Sequence, residues 1–169
     1  MVRSSIGIRI AATPLEVFEL AHDVSRWAEL LPHYVASTIQ GRTGDRVLAR
    51  MVALRRFGPI ALPVAWRAIC RPDATDPTDL QLHFEHVRGV TRGMAVTWHI
   101  RPAGDAGNEA EVQIVHEFRR PLPFVGPDVL PRFVDRAFTR PIAGRTLAEF
   151  KRLAESQHPP GAAATNHTT

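Results

Sequence analysis

Val134, Phe138, Ile142, Thr146 and Phe150 recur at a spacing of four, and Leu153 and Ala154 extend the line. Four is one face of an α-helix. Arg132, Arg136, Arg140, Arg152 and Glu155 fall largely off that face, so 131–157 reads as one long amphipathic helix with a half-buried stripe. Such a helix needs a wide apolar surface to lie across. Pro141 predicts a kink about one turn before Gly144, where a small residue allows close approach. Thr146 is the one polar residue in line with the stripe. Its hydroxyl either bonds back to its own helix or faces a cavity.

The surface comes from the preceding hundred or so residues. Ile6, Ile8 and Ile10 alternate with Gly7 and Arg9 as a first strand. Thr13-Pro14 with Glu16 forms an N-cap and first helical turn, and Leu15, Phe18, Leu20 and Val24 supply an apolar side. A second short helix carries Trp27, Leu30 and Leu31 until Pro32 stops it. From Tyr34 the period switches to two, giving six strands over roughly 34–41, 45–56, 60–71, 79–88, 93–102 and 109–119. Gly41 to Gly44, Gly58-Pro59, Pro72 to Thr78, Gly89 to Arg92 and Ala103 to Asn108 break them, and the short breaks favour an antiparallel meander. Pro121, Pro123, Pro127 and Pro131 punctuate a loop into the final helix. The order is that of an α+β domain without internal repeats.

A chain of 169 residues fits one domain over 1–157, followed by a disordered tail over 158–169 of Pro, Gly, Ala, Thr and Asn. No apolar run is long enough for a membrane span, and Met1-Val2-Arg3-Ser4 lacks a signal-peptide core. The Asn166-His167-Thr168 sequon is set aside for want of a secretory signal. One cysteine, Cys70, allows no internal disulfide and fits a cytoplasmic location. Lys151 is the only lysine. The arginines behind the net charge of +4 are scattered without a basic run, which argues against a nucleic-acid partner.

The strand faces carry the chemistry. Leu80, Leu82, Phe84, His86 and Arg88 share one side; Met94, Val96, Trp98 and Ile100 share another; Ala110, Val112, Ile114, His116 and Phe118 a third. Leu62, Val64, Trp66, Ala68 and Cys70 line one face of the strand before them. The inner surface is therefore apolar and aromatic, with two imidazoles and one guanidinium, as in a small-molecule site. Each imidazole is equally readable as a core residue bonded to a backbone carbonyl, and Trp27, Trp66, Trp98 and Tyr34 as core packing. No inner carboxylate joins His86 and His116 to hold a metal. Cys70 lacks the surroundings of a nucleophile.

Residues 5–34, with Ala11-Ala12-Thr13-Pro14-Leu15-Glu16-Val17-Phe18, Asp23-Val24-Ser25-Arg26-Trp27 and Leu31-Pro32-His33-Tyr34, resemble the polyketide cyclase/dehydrase and lipid-transport branch of the START-like superfamily. Val115-His116-Glu117-Phe118 and Arg145-Thr146-Leu147 agree with it, and the likeness covers about 3–156. The resemblance implies a helix-grip (START/Bet v 1-like) fold: a seven-stranded curved antiparallel sheet around a long C-terminal helix, two short helices after strand 1, and a deep cavity between.

It also implies aldol-type cyclisation and dehydration of a poly-β-ketone, without cofactor or metal. Trp27, Tyr34, Trp66, Met94 and Trp98 match pocket positions of the bacterial aromatase/cyclases; His116 and Thr146 match their polar pocket side chains. Cys70 stands where those enzymes carry a carbonyl-holding arginine. The cationic role then moves to Arg88 and His86. In this reading His86 or His116 exchanges protons near neutral pH, and Arg88, Tyr34 and Thr146 stabilise oxyanions. Ala68, Cys70, Phe84, Ile114 and Ile142 complete the substrate-binding set. The partner is a hydrophobic small molecule, with delivery by an acyl carrier protein and a monomer or homodimer as further expectations. A non-catalytic carrier of a lipid or quinone is the alternative, favoured by Cys70; an interaction protein, like relatives that act on ribosomes, is a third.

Overall fold

The computed structural model describes residues 2–104, 107–118 and 129–157. The proline-rich stretch around Pro121, Pro123 and Pro127, part of the Ala103–Asn108 turn, and the tail with its sequon lie outside the described residues.

Seven antiparallel strands form one sheet in the order β1-β7-β6-β5-β4-β3-β2. They are β1 Val2–Ile10, β2 Tyr34–Thr43, β3 Arg46–Phe57, β4 Ile60–Asp73, β5 Leu80–Gly89, β6 Met94–Ala103 and β7 Glu109–Phe118. Strands β2 to β7 are a meander, as their short connections require. Between β1 and β2 come α1, Pro14–Ala21, a 3₁₀ turn over Val24–Arg26, and α2, Trp27–Leu30. This detour lets β1 cross to the far edge and pair with β7 from Val2↔Phe118 to Ile10↔Ala110. The capping box expected from Thr13 and Glu16 is present: the Thr13 hydroxyl accepts from the Glu16 N–H, and the Glu16 carboxylate accepts from the Thr13 N–H at 2.8 Å. Leu15 faces water at 57 % exposure instead of joining the apolar side, where Val17, Phe18 and Ala21 are buried.

The long helix is built in three pieces: α3 Val129–Val134, a π turn over Asp135–Thr139, and α4 Arg140–Ser156. The break falls where Pro141 predicted it. Proline has no N–H for the carbonyl four residues back, and its ring crowds that carbonyl. The Arg140 N–H instead reaches five residues back to Asp135 O, and the freed Ala137 carbonyl accepts from Arg55 Nε on β3 at 2.6 Å. Helix α4 packs against β1 and also against β3, near opposite edges of the sheet. A sheet that touches one helix with both margins is curled around it. Gly144 permits the close approach to β1, since a Cβ there would stand 3.3 Å from Ile6 Cδ1. Lys151 Nζ donates to Arg9 O and to Glu155 Oε1, which also accepts from the Ala11 N–H, fastening the helix to the end of β1.

Two inner-face expectations fail in β4 and β5. Leu62 is 46 % exposed, because β4 ahead of Trp66 pairs only with β3 and the hairpin tip projects beyond the rest of the sheet. Arg88 is exposed on the outer face. Register passes from Ala68↔His86 to Arg67↔Arg88, so Val87 is an extra residue in β5 and the alternation slips by one. Gly89 makes the bulge possible. It has φ +97° and lies against Trp66, where a Cβ would sit 2.4 Å from Ala65 O.

Candidate functional site

The core between sheet and helix divides into a filled end and a hollow end. At the filled end Trp27, carried by α2, contacts Tyr34, Phe84, Trp98 and Phe150 with ring centroids 5.4–5.7 Å apart. Its indole N–H donates to Ala21 O at 2.9 Å. Beyond it lies a cavity of about 70 Å³, room for roughly five water molecules on that scale. Tyr34, Trp66, His86, Met94, Ile114, His116, Ile142 and Thr146 line it, together with Trp27, Phe84 and Trp98. Most of this wall is apolar. Eleven residues singled out from the sequence thus meet around one space.

Arg88, Ala68 and Cys70 do not line it. Arg88 is carried outside by the bulge at Val87. Ala68 and Cys70 are buried on the same side of β4 as Trp66, away from the hollow. Burial pushes the Cys70 thiol up to about 12, so it is no nucleophile. No described residue supplies a cation to the cavity wall.

The imidazoles are buried, His86 at 8 % and His116 at 3 % exposure. His86 stacks flat on Trp66, rings 5.9 Å apart and 3° from parallel, and its Nδ1 is hydrogen-bonded to the Thr91 hydroxyl at 2.6 Å. Burial, with neighbouring His116 adding to it, lowers His86 to about 3. Burial also lowers His116 to about 4, the Asp135 carboxylate opposing and Arg140 adding. Both rings are therefore neutral near pH 7, which corrects the expectation of proton exchange there: desolvation disfavours the imidazolium. The His116 Nδ1 and the Trp66 Nε1 are buried without a partner among the described residues.

Thr146 meets both expectations held for it. It lines the cavity and donates to Ile142 O at 2.9 Å within its own helix. With that proton engaged, its oxygen accepts from His33 Nε2 at 3.0 Å, leaving the buried His33 Nδ1 unpartnered. The Thr146 hydroxyl is thus no free donor to an oxyanion. Burial raises the Tyr34 phenol above its ordinary range, the nearby Thr146 hydroxyl acting against it, so Tyr34 remains a protonated donor.

Four polar residues at or behind the cavity escaped the sequence reading. His33 sits in the turn before β2 and Thr91 in the turn after β5, where no periodicity assigns a face. Asp135 and Thr139 lie off the four-residue stripe and are turned inward by the π segment. Asp135 accepts from Ser4 Oγ at 2.6 Å, and Ser4 is the register partner of His116 on β1. Pro141, which withholds an N–H from the helix just after them, was the available sequence signal for these two.

A family model described as polyketide cyclase / dehydrase and lipid transport matches residues 1–155. No curated protein matches the chain. Among solved structures, the protein TTHA0849 from Thermus thermophilus is similar at 20 % identity and a TM-score of 0.70, over 93 % of this chain and 99 % of that one. The Zhui aromatase/cyclase from Streptomyces sp. R1128 is similar at 14 % identity and a TM-score of 0.71, over 96 % and 99 %. The di-domain ARO/CYC BexL from the BE-7585A biosynthetic pathway is similar at 25 % identity and a TM-score of 0.62, over 94 % of this chain and 48 % of that one. The shared architecture is the helix-grip fold.

Proposed function

Because the chain belongs to the polyketide cyclase / dehydrase and lipid transport family, we propose that it binds a hydrophobic small molecule bearing a carbonyl or hydroxyl oxygen between α4 and the sheet. One observation carries this reading. In a mostly apolar wall, Trp66 Nε1 and His116 Nδ1 are buried and unpartnered among the described residues. A buried polar group left without a partner costs about 1–3 kcal/mol. A ligand oxygen that accepts from the indole N–H, and a polar group that meets His116, would recover part of that cost. The surrounding apolar wall would take the carbon skeleton.

Binding comes ahead of acid–base catalysis because burial makes both imidazoles weak bases, with pKa values far below 7, the buried Cys70 thiol stays protonated and Arg88 faces water. Template-directed cyclisation of a poly-β-ketone is the second reading. The Tyr34 phenol on the cavity wall favours it as a donor to a developing oxyanion. Holding such a chain in a reactive fold is worth several kcal/mol by orientation alone.

Native mass spectrometry of the protein purified from its own host tests the binding reading. A stoichiometric oxygenated hydrophobic ligand, lost from a Trp66→Phe/His116→Leu variant, is expected; retention of the same ligand by that variant refutes the role given to the two polar atoms. A poly-β-ketone ring-closure assay tests the second reading. A product distribution unchanged by Tyr34→Phe would remove the phenol from the chemistry.

A further inference from the structure

The arginines look dispersed in the sequence, but the sheet gathers them. On the outer face, away from the cavity, Arg50 pairs with Arg67 and Arg67 with Arg88, so three arginines stand in one row across β3, β4 and β5. Like charges directly opposite one another on a sheet repel and destabilise. Among the described residues none of the three has a carboxylate within ion-pair distance. The row exists because the Val87 bulge turns Arg88 outward.

Two residues further along β3 and β4, and three along β5 because of the bulge, comes a mainly apolar row: Leu48 pairs with Ile69, Ile69 with Glu85, and Glu85 with Ala95. Two residues beyond that, Arg71 pairs with His83 and His83 with Thr97, while Arg46 follows on β3. The arginine-bearing rows are four residues apart along the strands, about 13 Å at 3.3 Å per residue. Beside the row of Arg50, Arg67 and Arg88, and not lined by it, a groove of about 520 Å³ is walled by Arg46, Arg71 and Arg92 over a floor that includes Ile69, Glu85, Ala95 and Thr97.

We propose that this outer groove docks an acidic amphipathic helix of a partner protein, lying across the strands. A helix with its side chains is about 10–12 Å wide and fits between the two rows. Its apolar ridge meets Leu48, Ile69 and Ala95, and carboxylates on both flanks reach arginines, whose planar guanidinium suits two-point carboxylate recognition. Glu85, between Ile69 and Ala95 in that row, receives one cationic side chain. A nucleic-acid backbone satisfies the arginines but sets phosphates over Leu48 and Ile69, so the apolar row favours the helix. The proposal stands apart from the cavity ligand.

The test uses the full chain and a fluorescein-labelled 18-residue helical peptide, with leucines at helical spacing on one face and glutamates on both flanks, read by anisotropy. Controls are the same peptide with lysine for every glutamate and a 20-nucleotide single-stranded RNA. The acidic peptide is expected to bind, and to bind at least tenfold more weakly to an Arg50→Gln/Arg67→Gln/Arg88→Gln variant and to Leu48→Glu. That triple variant is expected to melt no lower than the parent, since it relieves a repulsive row, and to keep the co-purified cavity ligand. Should it not fold, Arg88→Gln alone is expected to weaken binding at least threefold. No binding of the acidic peptide, equal binding of the lysine peptide, tighter binding of the RNA, or no effect of the substitutions overturns the proposal.

Discussion

His116 combines features that work against stability unless something else uses them. Its ring is buried, its Nδ1 has no partner among the described residues, and burial holds its pKa near 4. His116→Leu is therefore expected to leave stability unchanged or raise it by about 1 kcal/mol in urea denaturation, while weakening ligand binding about tenfold. The three buried imidazoles also set a pH dependence. His86 is lowered to about 3, and His33 and His116 to about 4, from an ordinary 6.5. Above pH 6.5 neither folded nor unfolded chain protonates them, and they contribute no slope. Below it the unfolded chain takes up protons the folded one refuses. Stability should fall from pH 6.5 towards 4, by up to about 1.4 kcal/mol per pH unit for each histidine. Urea midpoints at pH 7.5, 6, 5 and 4.5 check this; a flat profile over that range would show that the rings protonate in place. His116→Leu should make the slope shallower.

Among the elements, β5 and the long helix carry the decisive irregularities. The Val87 bulge depends on Gly89, whose φ is +97° and whose missing Cβ leaves room for the β4 backbone. Gly89→Ala should cost more than about 2 kcal/mol in urea unfolding, from left-handed strain and a backbone clash together. Deleting Val87 should be milder by the same measurement, since Arg88 would then follow inward-facing His86 directly and still face outward opposite Arg67. In the helix, the π turn before Pro141 directs Asp135 and Thr139 inward and leaves the Ala137 carbonyl to Arg55. Thr13→Ala, which removes the α1 cap, should cost only about 1 kcal/mol, because Pro14 still presets the first turn.

For the molecule as a whole, the two faces of the sheet differ: the inner one encloses the cavity and the outer one carries the arginine row. The inner face encloses about 70 Å³, so only a compact part of a larger ligand fits without rearrangement. A ligand bound to the folded state alone, at a hundredfold excess over its Kd, should stabilise it by about 2.7 kcal/mol. Thermal melts with and without the ligand identified by mass spectrometry check this. Trp27, Trp66 and Trp98 all line the cavity, so Trp66→Phe should reduce, and not abolish, any accompanying change in tryptophan emission. None of the described helices is long and apolar enough to cross a membrane.

Local periodicity determined the elements by itself. The spacing of four named the helix stripe, the spacing of two placed six strands, and strand faces selected Trp66, Phe84, His86, Met94, Trp98, Ile114 and His116 before any coordinates. Such patterns are legible because each side chain's direction follows from its immediate backbone. Whether Arg88 faces the cavity or the water was decided by an extra residue opposite β4, which exists only relative to a partner strand. The same holds for His33 and Thr91, placed by turns, and for Asp135, placed by a π turn that Pro141 signals but does not aim. The outer arginine row is likewise a product of register: Arg50, Arg67 and Arg88 are far apart in the chain and become neighbours only when three strands pair.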